Sequence, residues 1–546
     1  MNKSPAQTGT SAGRNYLPYL VTSLVLVVVA CVRIRLLAVP LERDEGEFAY
    51  MGQLLLKGFP PFTYAYTMKL PGVSIVYALG MYLFGQSPAG IHLGLLVINF
   101  ICIALVYLVA TRLFDSTTAL VSCATYAVLS LSQSVLGIFA HATHLVMLFS
   151  LTGLLILLYA LDSGRRQFLF VSGLCFGLAV TMKQHALLLA LLPLFYCVRS
   201  VWRKPVTGRK FSFGAFIFFI LGMIIPYALL VIWVTQAGVF DRFWFWTVAY
   251  SREYASGYTL LQGWRNFAQE FSTILTSQPF LWLLAGIGAV SLGTQYSRCR
   301  NKGFVFWFLL LSCLSVCPGL IFRNHYFVLM LPVAALLVGA AFRSSSEFSL
   351  QWVQSRKLSE AVFLLVWGVA VVSGLFIERE YLFIKSPTEM SRFCYGLNPF
   401  PEALEIARYL KDRSNPGDTI AVLGSEPEIL FYADRLSATG HIYMYGLMEN
   451  QSYAERMQLQ LIREVEQSRP KYVVYVSVAM SWLVEPSSSR AVFKWGENYL
   501  RSSYEPVGLI DIIDSTATSC RWDAQAAGSY PSSGTYLRVF RRKAGV

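Results

Sequence analysis

The sequence predicts a mainly helical, polytopic membrane protein with about eleven transmembrane helices and a C-terminal soluble α/β domain. Of the 546 residues, 55% are hydrophobic and only 14% are charged, whereas a soluble protein carries roughly 25% charged residues. Apolar runs recur through residues 1–378 and then stop. We therefore expect a membrane domain at 1–378, with surface helices in a first outer loop at 39–88, and a soluble domain, the tail, at 379–546.

The candidate spans are apolar segments of about the length, roughly 20 residues, that a helix needs to cross a bilayer. A shorter run at 71–84 begins with Pro-Gly and is either a twelfth span or a helix lying on the membrane surface. The segments are 16–38, 89–111, 117–137, 143–161, 167–182, 185–198, 212–235, 279–296, 303–320, 325–342 and 360–378.

The basic residues predict the orientation of these spans. The net charge of +14 belongs to the membrane part, because residues 1–378 hold 26 Lys and Arg against 12 Asp and Glu. With a cytoplasmic amino terminus and a non-spanning 71–84, the basic clusters 199–210 and 298–302 face the cytoplasm, as the positive-inside rule requires. The first outer loop, a loop at 236–278 and the tail then share the outer face. The basic excess indicates anionic membrane lipid as a partner, and no aromatic-basic module indicates nucleic acid.

The tail alternates predicted helices and strands, which is typical of a small layered sheet. Helices are predicted at 401–413, 426–434 and 452–468, and strands at Thr419 to Leu423, Lys471 to Val478 and Tyr536 to Phe540. No Gly-rich phosphate loop follows either of the first two strands. Cys394 and Cys520 are the only tail cysteines, and whether they form a disulfide stays open.

The scarce carboxylates concentrate directly after the first span. Four of the twelve acidic residues in 1–378 lie in the stretch Glu42 to Glu47. Asp44 with Glu47 three residues on predicts an N-cap and a helix that runs to Lys57 and stops at Gly58. Capping does not need every carboxylate, so the same cluster is a candidate general base or a candidate binding site for a divalent cation.

The same loop carries a resemblance to a known family. The string RDEGEFAYMGQLLLKGFPPF, followed by MKLPG at 68–72, resembles the GT-C superfamily, in particular the family 39 and aminoarabinose-transferase-like membrane glycosyltransferases. Shorter pieces agree, including Met182-Lys183-Gln184 and the run from Phe322 to Tyr326. The resemblance extends over most of residues 15–345. The tail resembles the family only in being a variable exported domain.

The resemblance implies a GT-C-like fold and the transfer of a sugar from a polyprenyl-phosphate donor to a lipid, glycan or protein acceptor, usually with inversion. It implies that Asp44 is the catalytic acidic residue, supported by Glu45. It implies that Lys69 contacts the donor phosphate and that Lys183 is a second basic residue facing the cavity. It also implies that Arg323, with His325, belongs to a late phosphate-binding element. The substrate-binding candidates are Lys69, His141, His144, Lys183, Arg323, His325 and Tyr326. For Lys69, Lys183 and Arg323, the alternative role is to anchor the chain at the membrane interface.

One departure concerns the second outer loop, where many relatives carry another acidic residue. Here residues 139–145 read FAHATHL and contain no carboxylate. His141 and His144 are three residues apart and would share one face of a helix. They are candidates, with Asp44, for a divalent metal ion, or else they only form hydrogen bonds at a helix end.

Loop 236–278 is rich in aromatic residues and is either an interfacial belt or a lid over the sugar and lipid. The predicted function is thus a membrane glycosyltransferase, in a bacterial inner membrane by its family resemblance, with a periplasmic tail. The alternatives are a flippase of a lipid-linked sugar and a non-catalytic scaffold. A flippase predicts broken helices or repeated halves, and neither is evident in the sequence.

Overall fold

Helices dominate the chain up to Tyr395, and a six-stranded sheet follows. The computed structural model describes residues 16–202 and 213–545, so most of the basic cluster 199–210 lies outside the described residues. The helices of the membrane part are α1 Leu17–Arg35, α2 Arg43–Leu56, α3 Gly72–Phe84, α4 Pro88–Leu113, α5 Ser116–Leu129, α6 Ala142–Ser163, α7 Arg166–Met182, α8 Ala186–Trp202, α9 Phe213–Gln236, α10 Phe240–Trp244, α11 Ser251–Ala255, α12 Leu260–Ser277, α13 Pro279–Ser291, α14 Lys302–Ser315, α15 Leu331–Ser349 and α16 Arg356–Ile377.

Six helices in the described residues are long and apolar enough to cross a membrane. One more pair, α12 with α13, is bent by 105° at its junction and could form a seventh, broken span. The sequence did not indicate this break. Each of the eleven predicted segments contains a helix, but several are short, so the count of about eleven spans stays a prediction. Helix α3 has 13 residues and a length of about 20 Å, which is less than the roughly 30 Å of a bilayer core.

The first outer loop folds as a helix, as predicted, but its cap differs from the prediction. Helix α2 begins at Arg43, and Glu42, not Asp44, is its N-cap. The Glu42 side chain accepts the N–H of Glu45, and the Glu45 side chain accepts the N–H of Glu42. This reciprocal capping box uses Glu42 and Glu45, the two carboxylates that the predicted cap did not include. It frees Asp44 and Glu47, which were expected to form the cap, for other partners.

The tail contains one sheet with strand order β2-β1-β3-β6-β4-β5. Strands β2, β1 and β3 are parallel, and β3, β6, β4 and β5 are antiparallel. Its elements are α17 Pro387–Tyr395, α18 Phe400–Arg413, β1 Thr419–Leu423, α19 Pro427–Ala433, β2 Leu436–Ser437, α20 Tyr445–Met448, α21 Ala454–Ser468, β3 Tyr472–Ser477, α22 Ala479–Trp482, α23 Ala491–Ser503, β4 Tyr504–Ile512, β5 Thr518–Trp522 and β6 Tyr536–Arg542.

All predicted tail elements are present, but others were missed, among them α17, α23, β4 and β5. Strand β4 has a register shift between Pro506 and Gly508. Proline and glycine both weaken the sequence signal of a strand, so β4 was not predicted. Strand β5 is a short edge strand with little apolar character, and helix α23 precedes β4 without a capping side chain. Cys394 lies in α17 and Cys520 in β5, and both are free thiols.

The tail packs directly against helix α2. Gly46 lies so close to α19 that a Cβ atom there would be 2.7 Å from the Cβ of Glu428. The N–H of Ser437 donates to the Tyr50 hydroxyl at 2.8 Å, and the N–H of Leu41 donates to the Tyr432 hydroxyl at 2.9 Å. These contacts fix the tail on the helix that carries the acidic cluster.

Candidate active site

One cavity of about 840 Å³ brings together the three parts of the chain that the charge pattern assigns to a single face. Its walls come from the first outer loop, from the aromatic loop 236–278 and from the tail, together with the ends of several long helices. Among its lining residues are Glu42, Arg43, Asp44, Glu47, Lys69, His141, Lys183, Tyr250, Tyr254, Arg323, His325, Tyr326, Glu378, Tyr443, Tyr445 and Glu449.

Asp44 and Lys69 form an ion pair in this cavity. The Lys69 ammonium donates to Oδ1 of Asp44 at 2.8 Å and to Oε2 of Glu47 at 2.5 Å. Burial acts to raise the pKa of both carboxyls. In Asp44 the attraction of Lys69 outweighs the effect of burial and holds the pKa well below its usual range. In Glu47 burial dominates, and the pKa is raised. The sequence predicted only a capping role for Glu47. Its position about one helical turn after Asp44 was the signal that the two side chains lie on the same face. Lys69 therefore keeps Asp44 in its ionised form.

Glu45 does not face the cavity. It is fully buried, and its Oε1 accepts the N–H of Ala140 at 2.6 Å and contacts Nε2 of His92 at 3.0 Å. The first contact ties the amino end of α2 to the residue before His141. Glu45 therefore lies behind the cavity, where it joins α2 to the second outer loop.

The two histidines of the second outer loop separate, contrary to the shared helix face expected from their spacing. His141 is the extended residue before α6, whereas His144 lies in its first turn and outside the cavity lining. His141 stacks instead on His325, with ring centroids 4.1 Å apart. Within residues 16–202 and 213–545, the side-chain nitrogens of His141 have no hydrogen-bond partner. Burial lowers the pKa of His141 to about 4.

Asp44, His141 and His325 could hold a metal ion together, since their ligand atoms lie within 4.8 Å of one another. Two neutral imidazoles and one carboxylate suit a divalent transition metal. The unpartnered, buried nitrogens of His141 fit such a role, because buried polar atoms normally have partners. His325 thus replaces His144 in the set predicted from the sequence.

Lys183 and Arg323 are cations of the cavity that form no ion pair in the part of the chain that the structure describes. The Lys183 ammonium lies 3.7 Å from the ring centroid of Tyr326. Burial, together with the charges of Lys69 and Arg323, lowers the pKa of Lys183 to about 7. By contrast, Arg343 near the other end of α15 lies within 4 Å of three carboxylates, those of Asp115, Glu347 and Glu360.

The aromatic loop contains both buried and exposed side chains. Trp246 and Tyr250 are buried, and Trp246 stacks on Tyr66 of the first outer loop with ring centroids 5.5 Å apart. Tyr250 donates to Glu449 of the tail at 2.8 Å. In contrast, Trp244 and Trp264 are 50% and 65% exposed, as expected for side chains at a membrane interface.

The tail contributes residues that sequence reasoning missed. Tyr443 lies with its hydroxyl 3.4 Å from Oδ1 of Asp44, and Tyr445 accepts a hydrogen bond from Arg43 at 2.8 Å. Arg43 also pairs with Glu426 at 2.9 Å. No local motif marks these residues, because they approach the cavity only through the docking of the tail on α2.

Comparisons with known proteins define the class of the fold. The family model described as dolichyl-phosphate-mannose-protein mannosyltransferase matches residues 68–233. ArnT from Cupriavidus metallidurans bound to undecaprenyl phosphate aligns with a TM-score of 0.56 at 14% identity, over 95% of this chain and 100% of that chain. The Archaeoglobus fulgidus oligosaccharyltransferase tethered with an acceptor peptide aligns with a TM-score of 0.50 at 14% identity, over 94% of this chain and 75% of that one. No curated protein matches the chain.

The fold is therefore that of the GT-C membrane glycosyltransferases. The family model and the structural neighbours confirm the resemblance to this superfamily that the sequence predicts.

Proposed function

We propose that the chain is a membrane glycosyltransferase that transfers a sugar from a polyprenyl-phosphate donor to an acceptor at the outer face of the membrane. One observation carries the proposal. A single cavity holds an ionised carboxylate, Asp44, and two cations, Lys183 and Arg323, that have no carboxylate partner among the described residues. Unpaired cations are a natural site for a phosphate, and an adjacent carboxylate is a natural partner for an acceptor proton.

Lys183 and Arg323 bind the donor phosphate in this proposal. Their charges stabilise the negative charge that develops on phosphate as the glycosidic bond breaks. Lys183 and Asp44 line the same cavity, and the charge of Lys183 contributes to the lowered pKa of Asp44. Tyr326, whose ring faces the Lys183 ammonium, holds that ammonium toward the cavity.

Asp44 acts on the acceptor. As the acceptor atom forms its bond to the anomeric carbon, the bond from that carbon to the phosphate oxygen breaks and its electron pair stays on phosphate. The acceptor proton passes to Asp44. Because Lys69 depresses the pKa of Asp44, the carboxylate is charged at neutral pH but is a weak base, and the proton transfers late in the reaction. Attack from the face opposite the phosphate inverts the sugar.

Asp44, His141 and His325 hold a divalent cation in this proposal. Such an ion supplies positive charge that orients the acceptor and lowers the pKa of its reacting group when bound. Lys69 and Glu47 then keep Asp44 in place from its other side.

The comparisons support the donor class and leave the sugar and the acceptor unassigned. The ArnT structure is described as bound to undecaprenyl phosphate, and the oligosaccharyltransferase as tethered with an acceptor peptide. We propose an undecaprenyl-type carrier for this chain, a bacterial inner-membrane location with a cytoplasmic amino terminus, and a boundary near 378 between the membrane domain and a periplasmic tail.

The experiment is transfer of radiolabel from undecaprenyl-phosphate sugars to envelope extract by the purified protein. The wild-type protein is expected to move label from carrier to acceptor, and Asp44→Asn is expected to abolish transfer while the protein still folds. A flippase would move the intact donor between leaflets without freeing undecaprenyl phosphate, and a scaffold would do neither. Full transfer by Asp44→Asn would refute the role of that carboxylate.

A further inference from the structure

The tail contributes one wall of the cavity through a short segment, Tyr443–Glu449, which we term the tyrosine arm. Five of its members line the cavity: Tyr443, Tyr445, Gly446, Leu447 and Glu449. The arm approaches the aromatic loop so closely that a Cβ atom on Gly446 would lie 2.5 Å from the Tyr250 hydroxyl. The position of this segment is therefore closely constrained.

Arg43 ties the arm to the residue next to Asp44. Its buried guanidinium donates to the Tyr445 hydroxyl at 2.8 Å, to the Ser425 carbonyl at 2.5 Å and to Glu426 at 2.9 Å. Ser425 in turn accepts the N–H of Met444 at 2.8 Å through its hydroxyl. Arg43 thereby restrains the arm directly at Tyr445 and, through Ser425, at Met444, the residue next to Tyr443.

Tyr443 faces the Asp44–Lys69 pair as a result. Its hydroxyl donates a long hydrogen bond of 3.4 Å to Oδ1 of Asp44, the same oxygen that Lys69 contacts at 2.8 Å. The ring centroid of Tyr443 is 5.6 Å from the Lys69 ammonium. Oδ2 of Asp44 accepts no hydrogen bond from the described part of the chain and lies 3.9 Å from Nδ1 of His141.

We propose that Tyr443 is a positioning residue of the transfer reaction, supplied by the tail, which holds Oδ1 of Asp44 with Lys69 so that Oδ2 faces the acceptor. The proposal rests on the function proposed above. A carboxylate restrained at one oxygen cannot turn about its Cβ–Cγ bond, and orientation of the reacting group lowers the barrier of the chemical step. Losing this long hydrogen bond to a charged group is expected to slow transfer about tenfold.

Tyr443→Phe tests the proposal because it removes the hydroxyl and keeps the ring beside Lys69. The matched control is Tyr432→Phe, which removes a tail hydroxyl that binds Leu41 at the same contact with the first outer loop but lies outside the cavity lining. Steady-state transfer is measured with the undecaprenyl-phosphate sugar that the wild-type protein consumes. Binding of sugar-free undecaprenyl phosphate is measured in parallel by native mass spectrometry.

Tyr443→Phe is expected to lower kcat about tenfold, with unchanged KM for donor and acceptor and unchanged lipid binding, and Tyr432→Phe is expected to keep the wild-type kcat. An unchanged kcat in Tyr443→Phe, or an equal loss in both variants, would overturn the proposal while leaving the proposed function intact. A loss expressed in KM instead of kcat would also overturn it. A wild-type protein that transfers no sugar would overturn the proposed function and this inference with it.

Discussion

The Lys69 ammonium lies 2.8 Å from Oδ1 of Asp44, although the two residues are 25 positions apart in the sequence. The helix that begins at Arg43 and the turn before α3 bring them together on the wall of one cavity. The same ammonium contacts Glu47 at 2.5 Å, so one cation holds two carboxylates that would otherwise repel each other. The proposed reaction depends on this arrangement, because it keeps Asp44 charged and fixed.

Lys69→Gln is expected to reduce transfer by about a hundredfold or more, because it removes the charge that fixes Asp44 and lets burial raise the pKa of that carboxyl. The matched control is Lys57→Gln. Lys57 pairs with Asp434 at 2.6 Å, but both side chains are about a third exposed or more, and such pairs contribute about 0–1 kcal/mol. Initial rates of transfer check both variants, and comparable rates in the two would contradict the role given to Lys69.

The pKa of Lys183, lowered to about 7, predicts a pH dependence of donor binding. The ammonium is charged below this pKa and loses its charge as the pH rises through it. The affinity for undecaprenyl phosphate is therefore expected to fall about tenfold between about pH 6 and pH 8. Lys183→Arg keeps its charge over this range and serves as the control. Any dependence of its affinity on pH comes from titration of the phosphate. Parallel slopes in the two proteins would exclude Lys183 as a phosphate ligand.

Arg43 and Glu426 form a buried pair, and removing one partner leaves the other without compensation. Arg43→Met is expected to destabilise the protein by about 3–5 kcal/mol, because breaking a buried pair strands a charge. The double variant Arg43→Met/Glu426→Gln is expected to recover part of this loss. Thermal unfolding of the purified proteins measures both effects. If Glu426→Gln destabilises the Arg43→Met protein as much as it destabilises the wild-type protein, the two residues act independently and the pair is disproved.

The cluster of Asp44, His141 and His325 predicts one bound divalent cation. Dialysed wild-type protein is expected to take up one equivalent of Mn²⁺ or Zn²⁺, measured by elemental analysis, and His141→Ala/His325→Ala is expected to lose it. His144→Ala is the control and is expected to retain the ion, because His144 lies outside the cavity lining. Equal metal content in all three proteins would disprove the site.

The sequence predicted the features that depend on local pattern. Apolar runs located the helices, the acidic cluster located α2, and the family motif located Asp44, Lys69 and Arg323. Its prediction of Asp44 as the N-cap of α2 was wrong: Asp is a preferred capping residue, but Glu42, which also has a Glu three residues later, caps the helix. It also missed Tyr443 and Arg43, since their contacts depend on how the tail docks, which no local periodicity encodes.

The replacement of the expected second acid illustrates the same limit. The sequence offered His141 and His144 as a pair on the basis of helical spacing. The chain extends at His141 before α6 begins, so its ring turns toward His325, which is distant in the sequence. Only the packing of α6 against the segment before α15 reveals this partner.

The most direct test of the account is a structure of the protein with bound undecaprenyl phosphate. The account predicts a phosphate within about 4 Å of both the Lys183 ammonium and the Arg323 guanidinium, on the side of the cavity that faces Asp44. A lipid phosphate bound elsewhere, with Lys183 and Arg323 still free of it, would contradict the central claim that this cavity holds the donor.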